Sequence, residues 1–183
     1  MLLHDIGKPA CKSTDEQGVD HFYGHPAVSA RLADEMLQAL KFDSKTRERV
    51  VLLVKRHDVP LPPTGPAIRR WLSRLGPEAF FQLLEVKRAD NMGQNLEKVR
   101  GRLAELGEIR AQAERILAEK QCLTLKDLAV NGRDVIAAGI EPGPEVGQVL
   151  EGLLKRILDG EIQNQRNALL KGINSIKQQL LQP

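Results

Sequence analysis

Apolar residues recur in this chain at helical spacing, in runs cut short by proline and glycine, and that alternation leaves room for little except a set of packed helices. Between Pro26 and Leu40 the apolar positions are Val28, Leu32, Met36, Leu37 and Leu40, the i, i+3, i+4 pattern of one helix face. Ser44 or Thr46 is expected to cap a second helix running to about His57, with Val50, Val51, Leu53 and Val54 on its buried side. Pro60-Leu-Pro-Pro63 and Gly65-Pro66 predict a loop. Ala67 to Leu75 reads as a short helix halted at Gly76-Pro77, and Pro77 suits the first position of the next one. That helix carries Phe80, Leu83, Leu84 and Val86 and reaches Asp90. A polar helix with a narrow apolar stripe (Val99, Leu103, Leu106, Ile109, Ile116, Leu117) is expected from Leu96 to Lys120. Pro144 opens the last long helix, with Val149, Leu150, Leu153, Leu154, Ile157 and Leu158 on one face and Asp159-Gly160 as its stop. No segment reads as a strand, and no internal repeat is visible.

Composition points the same way. Aromatic residues make up only 3% of the chain, and Leu, Ala, Glu, Lys, Arg and Gln are abundant, which argues against a β-sandwich or barrel. The predicted class is all-α. Glycines crowd residues 123 to 164 (Gly132, Gly139, Gly143, Gly147, Gly152, Gly160), so a boundary is placed near Lys120 and the chain is divided into 1–90, 91–120 and 121–183. Cys11 and Cys122 lack CxxC spacing, and two lone thiols fit a reducing, cytoplasmic setting. No stretch has membrane-spanning length, and the N-terminus lacks a signal-peptide layout. The formal charge of +3 is too small to demand nucleic acid by itself. Lys55 and Arg56, like Arg69, Arg70 and Arg74, read first as solvated helix faces.

His4-Asp5 sets an imidazole and a carboxylate side by side after Leu2-Leu3, a donor pair suited to a borderline divalent ion such as manganese, iron, nickel or zinc. Two residues cannot fill a coordination sphere. His25 at the start of one helix, His57 at the end of another and Asp90 on a third are the further candidates, because helix ends and faces are rigid supports. His21 and Asp58 read instead as surface or capping residues. Lys8 stands near the pair, either to neutralise phosphate charge or as an ordinary solvated lysine.

The strings Leu2-Leu-His-Asp-Ile-Gly-Lys-Pro9, Phe22-Tyr-Gly-His-Pro26, Val54-Lys-Arg-His57 and Arg88-Ala-Asp90 resemble, in order, the HD superfamily of metal-dependent phosphohydrolases. More narrowly, they are similar to the HD region of bacterial tRNA nucleotidyltransferases (CCA-adding enzymes) and their poly(A) polymerase relatives. Residues 68–76 resemble the next helix of those enzymes, and residues 127–134, 139–147 and 158–164 their C-terminal tail. The resemblance covers nearly the whole chain. It implies an HD helical bundle over 1–90, a connecting helix over 91–120 and a tRNA-binding tail over 121–183. It implies a divalent metal (Mn, Ni, Fe, Zn or Mg) on His4, Asp5, His25, His57 and Asp90, with Asp5 and Lys8 as catalytic groups. It also implies phosphate contacts from Arg69, Arg70, Arg74, Arg133, Lys155 and Arg156. The family's catalytic head, and the ligand histidine usual upstream of the His-Asp pair, have no counterpart here. The chain is therefore expected to be a fragment, a shortened product or one half of a split enzyme whose head is a separate polypeptide, and not to add nucleotides itself.

Two functions follow from this pattern. One is a metal-dependent phosphohydrolase acting on nucleotides or phosphate esters; the other is a non-catalytic tRNA- or RNA-binding module that keeps the HD residues as structure. An oligomerisation scaffold, resting on the long amphipathic helix alone, is a third. The scarcity of aromatics disfavours base stacking and favours recognition of shape and phosphate. Gly143-Pro144 ahead of the last long helix offers backbone N–H groups to an anion, while Glu141 and Glu145 favour plain capping.

Overall fold

Helix α1 (His25–Ala39) starts where Gly24, at φ 78°, turns the chain and Pro26 fixes the first turn. Its buried face is built from small residues, Ser29, Ala30 and Ala33, together with Leu37. Those let α2 (Ser44–Arg56) lie close against it, and Ala30, Ala33 and Val54 form a shared core flanked by Leu3, Ile6, Val50 and Val51. Arg47 on α2 donates through Nε and Nη2 to Asp34 on α1, at 3.0 and 2.8 Å. The cap of α2 is neither Ser44 nor Thr46. Asp43 holds that place, accepting from the Thr46 backbone N–H at 2.9 Å and the Thr46 hydroxyl at 2.6 Å, because a carboxylate just outside the helix reaches the unpaired amides better than a hydroxyl inside it.

The computed structural model describes residues 2–180. Helices dominate: α3 (Gly65–Met92), α4 (Leu96–Ala118), α5 (Gly132–Ala137), α6 (Pro144–Asp159) and α7 (Arg166–Leu180) follow α1 and α2. Within α3, Gly76 sits at φ 74° and ψ 160° ahead of Pro77, so the element is two helices meeting at a kink, as the Gly76-Pro77 stop predicts. The first of them begins at Gly65, two residues earlier than expected. The all-α class is right, with a minor addition: Ser13–Thr14 (β1) and Asp20–His21 (β2) pair antiparallel, Ser13 opposite His21. Residues 2–8 are successive turns leading into a single 3-10 turn at Pro9–Cys11.

The chain forms two units, residues 1–61 with 77–107, and residues 62–76 with 108–183. The first contains α1, α2, the second half of α3 and the start of α4, with Phe80, Leu83, Leu84 and Val99 buried. The second has its own core of Cys122, Val130, Val135, Ile140, Val149, Leu153, Ile157, Leu169 and Ile173. There α6 ends at Gly160, φ 79°, with the Gly160 N–H donating to Ile157 O and the Glu161 N–H to Arg156 O. Helix α7 was not anticipated; Leu169 and Ile173 bury its inner side, and Gly172 lets it approach Leu153.

A histidine and carboxylate cluster as candidate metal centre

Three helices and one turn deliver the cluster. The turn bearing His4 and Asp5 lies on the first turn of α1 because Gly7 has no side chain. A Cβ there would stand 2.6 Å from the Ser29 backbone nitrogen and 2.9 Å from His25 O, and the Gly7 N–H donates to Ser29 Oγ at 2.9 Å. His25 is the first residue of α1, His57 caps the C-terminus of α2, and Asp90 is third from the end of α3.

These five side chains meet. His4 Nε2 lies 3.2 Å from Asp5 Oδ2 and 3.3 Å from Asp90 Oδ1. Asp5 Oδ1 lies 3.3 Å from His25 Nε2 and 3.6 Å from His57 Nε2, and those two nitrogens are 3.3 Å apart. The ring of His57 meets His4 and His25 edge-on, with centroids 5.0 and 5.2 Å away. His4, Asp5 and His57 alone bring one donor atom each within 4.8 Å of one another. His21 stays outside the cluster: it bonds Asp15 at 2.8 Å and stacks on Tyr23 beside the hairpin. Asp58 is exposed.

Acceptors outnumber donors inside the cluster. His25 Nδ1 donates to Phe22 O at 2.9 Å and His57 Nδ1 to Val54 O at 2.6 Å. Those carbonyls accept only, so each neutral ring carries its proton on Nδ1 and points the Nε2 lone pair inward. Inside, the lone pairs face each other and the buried Asp5 Oδ1, which has no hydrogen-bond donor. An added proton on His57 would relieve this, but burial pushes the His57 pKa below its ordinary value, reinforced by the charges of His4 and His25 against the opposing Val54 bond and Asp5. Three lone-pair-bearing atoms are thus turned toward one point, two of them on buried rings, an arrangement that a bound cation would satisfy. The spacing suits one: ligands about 2.1 Å from an ion and about 90–120° apart are themselves about 3.0–3.6 Å apart.

Lys8 completes the rim. Its Nζ is 2.6 Å from Asp5 Oδ2 and lies over the Phe22 ring at 5.8 Å. Burial raises the Asp5 pKa, yet the Lys8 bond and the charges of His4, Lys8 and His57 outweigh it, leaving the carboxyl below its usual range. Two supports were invisible in the sequence. One is the seat of Gly7 on Ser29. The other is Lys87, whose Nζ donates to His57 O and Val59 O at 2.7 Å each; burial lowers its pKa, against the pull of Asp58 and Asp90. Its only sequence signal was a position one turn ahead of Asp90.

The cationic residues are partly committed elsewhere. Arg69 Nε donates to Leu158 O at 2.9 Å, and Arg70 pairs with Asp159. Arg70, Arg74 and Lys155, with Ser73 and Glu151, border a groove of about 450 Å³ floored by Leu154 and Leu158. Lys155 and Arg156 line a second hollow beside Asp159, and Arg133 is exposed on α5. Among the described residues no helix is long and apolar enough to cross a membrane.

Residues 21–173 match the family model described as tRNA nucleotidyltransferase domain 2, putative. The chain belongs to this family. The CC-adding tRNA nucleotidyltransferase of Thermus thermophilus is 34% identical over 169 residues, covering 91% of this chain and 37% of that protein. The A-adding tRNA nucleotidyltransferase of Deinococcus radiodurans is 36% identical over 168 residues, covering 88% of this chain and 37% of that protein. A CCA-adding enzyme from Limosilactobacillus fermentum is 37% identical over 73 residues, 38% of this chain and 18% of that enzyme. The chain thus spans little more than a third of the two longest-matching of these family members. No solved structure matches it.

Proposed function

We propose that this chain is an HD-type, metal-dependent phosphohydrolase module of a tRNA nucleotidyltransferase-related protein, acting on nucleotides or phosphate esters. The observation carrying this reading is the donorless Asp5 Oδ1 facing the inward lone pairs of His25 and His57. His4, Asp5, His25, His57 and Asp90 would hold the ion. Three imidazoles with two carboxylates suit manganese, iron, nickel or zinc better than magnesium, which prefers oxygen. A divalent ion there supplies positive charge to a phosphoryl oxygen and acidifies water. The chain's own part is to fix the donors: carbonyls of Phe22 and Val54 hold two rings in one tautomer. Lys8, at the rim, would accept phosphate charge after releasing Asp5 Oδ2 to the ion.

The cationic groove of Arg70, Arg74 and Lys155, in a chain whose relatives are named for tRNA, favours a second reading: an RNA-binding module whose metal site is vestigial. Addition of CC or A is named for proteins about two and a half times as long, and would need the remainder of such a protein, here or as a separate head.

One set of measurements separates the two. The hydrolase reading expects stoichiometric metal by elemental analysis, turnover of p-nitrophenyl phosphate or a 2′,3′-cyclic nucleotide with manganese or nickel, and loss of both in His4→Ala but not in His21→Ala. The binding reading expects no turnover, and tRNA retention that falls steeply with salt and ignores His4→Ala. A protein that neither binds metal nor hydrolyses either substrate removes the first.

A further inference from the structure

We infer that Lys87 is a positioning residue, the clamp that holds the His57 imidazole in register with Asp90. This rests on the metal reading above and adds to it a residue that touches neither the ion nor a substrate.

The end of α2 has several carbonyls to satisfy. Val54 O is taken by the His57 ring itself, and Arg56 O by the Val59 N–H at 3.2 Å. His57 O and Val59 O are taken by one ammonium, that of Lys87, at 2.7 Å each. Lys87 stands three residues before Asp90 on α3, so both project from one side of that helix. The same turn is braced by Asn91, whose Nδ2 donates to Lys87 O at 2.8 Å. One side chain therefore ties the backbone of one candidate ligand, His57, to the helix turn that carries another, Asp90.

Charge alone would not put a cation here. An ammonium beside a site for a divalent ion repels it, and burying the lysine costs solvation. Two short bonds to the carbonyls that bracket Asp58 repay this by fixing the His57 backbone. Without the clamp, the final turn of α2 loses two donors and the ring can turn away from Asp5.

The test uses the full chain and two readouts. In metal-free protein, nitrogen-15 NMR of the imidazoles reads tautomer without any ion. Wild type is expected to show His25 and His57 fixed with the proton on Nδ1. In Lys87→Met, His57 is expected to become a tautomer mixture while His25, anchored to Phe22 O, stays fixed; a general loss of structure would move both. Titration with manganese alone is expected to bind at least about tenfold more weakly to Lys87→Met. Should that variant fail to fold, Lys87→Gln, whose tip falls short of both carbonyls, is read by the same two measurements. A His57 spectrum and a manganese affinity both unchanged overturn the clamp. If wild type takes up no manganese, the metal reading fails and the imidazole spectrum alone decides the role of Lys87.

Discussion

Replacing Gly7 by alanine probes the joint on which the cluster depends. The added Cβ would lie 2.6 Å from the Ser29 nitrogen, 2.9 Å from His25 O and 2.9 Å from Ser29 Oγ, where ordinary contact begins at 3.4 Å. Two of those atoms are backbone in the first turn of α1, so neither can rotate aside. The His4–Asp5 turn must lift off α1 by the better part of an ångström. Overpacking of this kind costs about 1–3 kcal/mol, and stretching the buried bond from Gly7 N–H to Ser29 Oγ adds about 1 kcal/mol. Reduced freedom of the unfolded chain offsets about 0.5 kcal/mol. The expected net loss is about 1.5–3.5 kcal/mol, or about 3–14 °C in Tm for a chain of this size. Urea unfolding followed by far-ultraviolet circular dichroism measures it. Because the shift separates Asp5 from His25, manganese binding should weaken in the same variant. A Gly7→Ala protein within about 0.5 kcal/mol of wild type, with unchanged metal affinity, would refute this account of how the turn is seated.

The remaining expectations are simpler. Gly101→Ala and Gly107→Ala, in α4 where an added Cβ meets nothing within 4 Å, should each stabilise by about 0.5–1 kcal/mol, seen as a rise in Tm. Leu153→Ala, at a fully buried position of the second core, should cost about 2–5 kcal/mol by urea denaturation. The Cys122 thiol, pushed up to about 11 by burial and the neighbouring Asp127, should resist Ellman's reagent at pH 8, while Cys11, only partly buried, is modified. Its protonated form is the one the fold favours, so its contribution to stability is complete below the ordinary thiol value and disappears as pH rises through about 11. Rapid labelling of Cys122 in folded protein at pH 8 would contradict its placement.

Where periodicity ran long, the sequence was readable: α1, α2, both halves of α3, α4 and α6 lie within a few residues of their expected spans. Short or polar elements escaped. Two-residue strands cannot show alternation, and six-residue α5 has a single buried position, Val135. In α7 the apolar set Leu169, Leu170, Ile173 and Ile176 does keep helical spacing, but Asn, Gln and Lys around it dilute the contrast. Division by composition also differs from division by packing, since residues 62–76 associate with the C-terminal part of the chain. His4, Asp5, His25, His57 and Asp90 were offered by donor type and helix placement and tied together by a resemblance in their order, not by any spacing that geometry demanded. Gly7, Ser29 and Lys87 each make bonds with a backbone atom on one side, which no pattern of side-chain types reveals.

Because the polypeptide passes between its two units at 61/62, 76/77 and 107/108, no single cut separates one cleanly from the other. A cut at 107/108 leaves the first unit carrying residues 62–76 of the second, and a cut at 61/62 leaves the second carrying residues 77–107 of the first, so neither is a cassette that one division of the gene can move alone. Selection on the cluster in one unit and on the cationic groove in the other therefore acts on interleaved stretches of one gene.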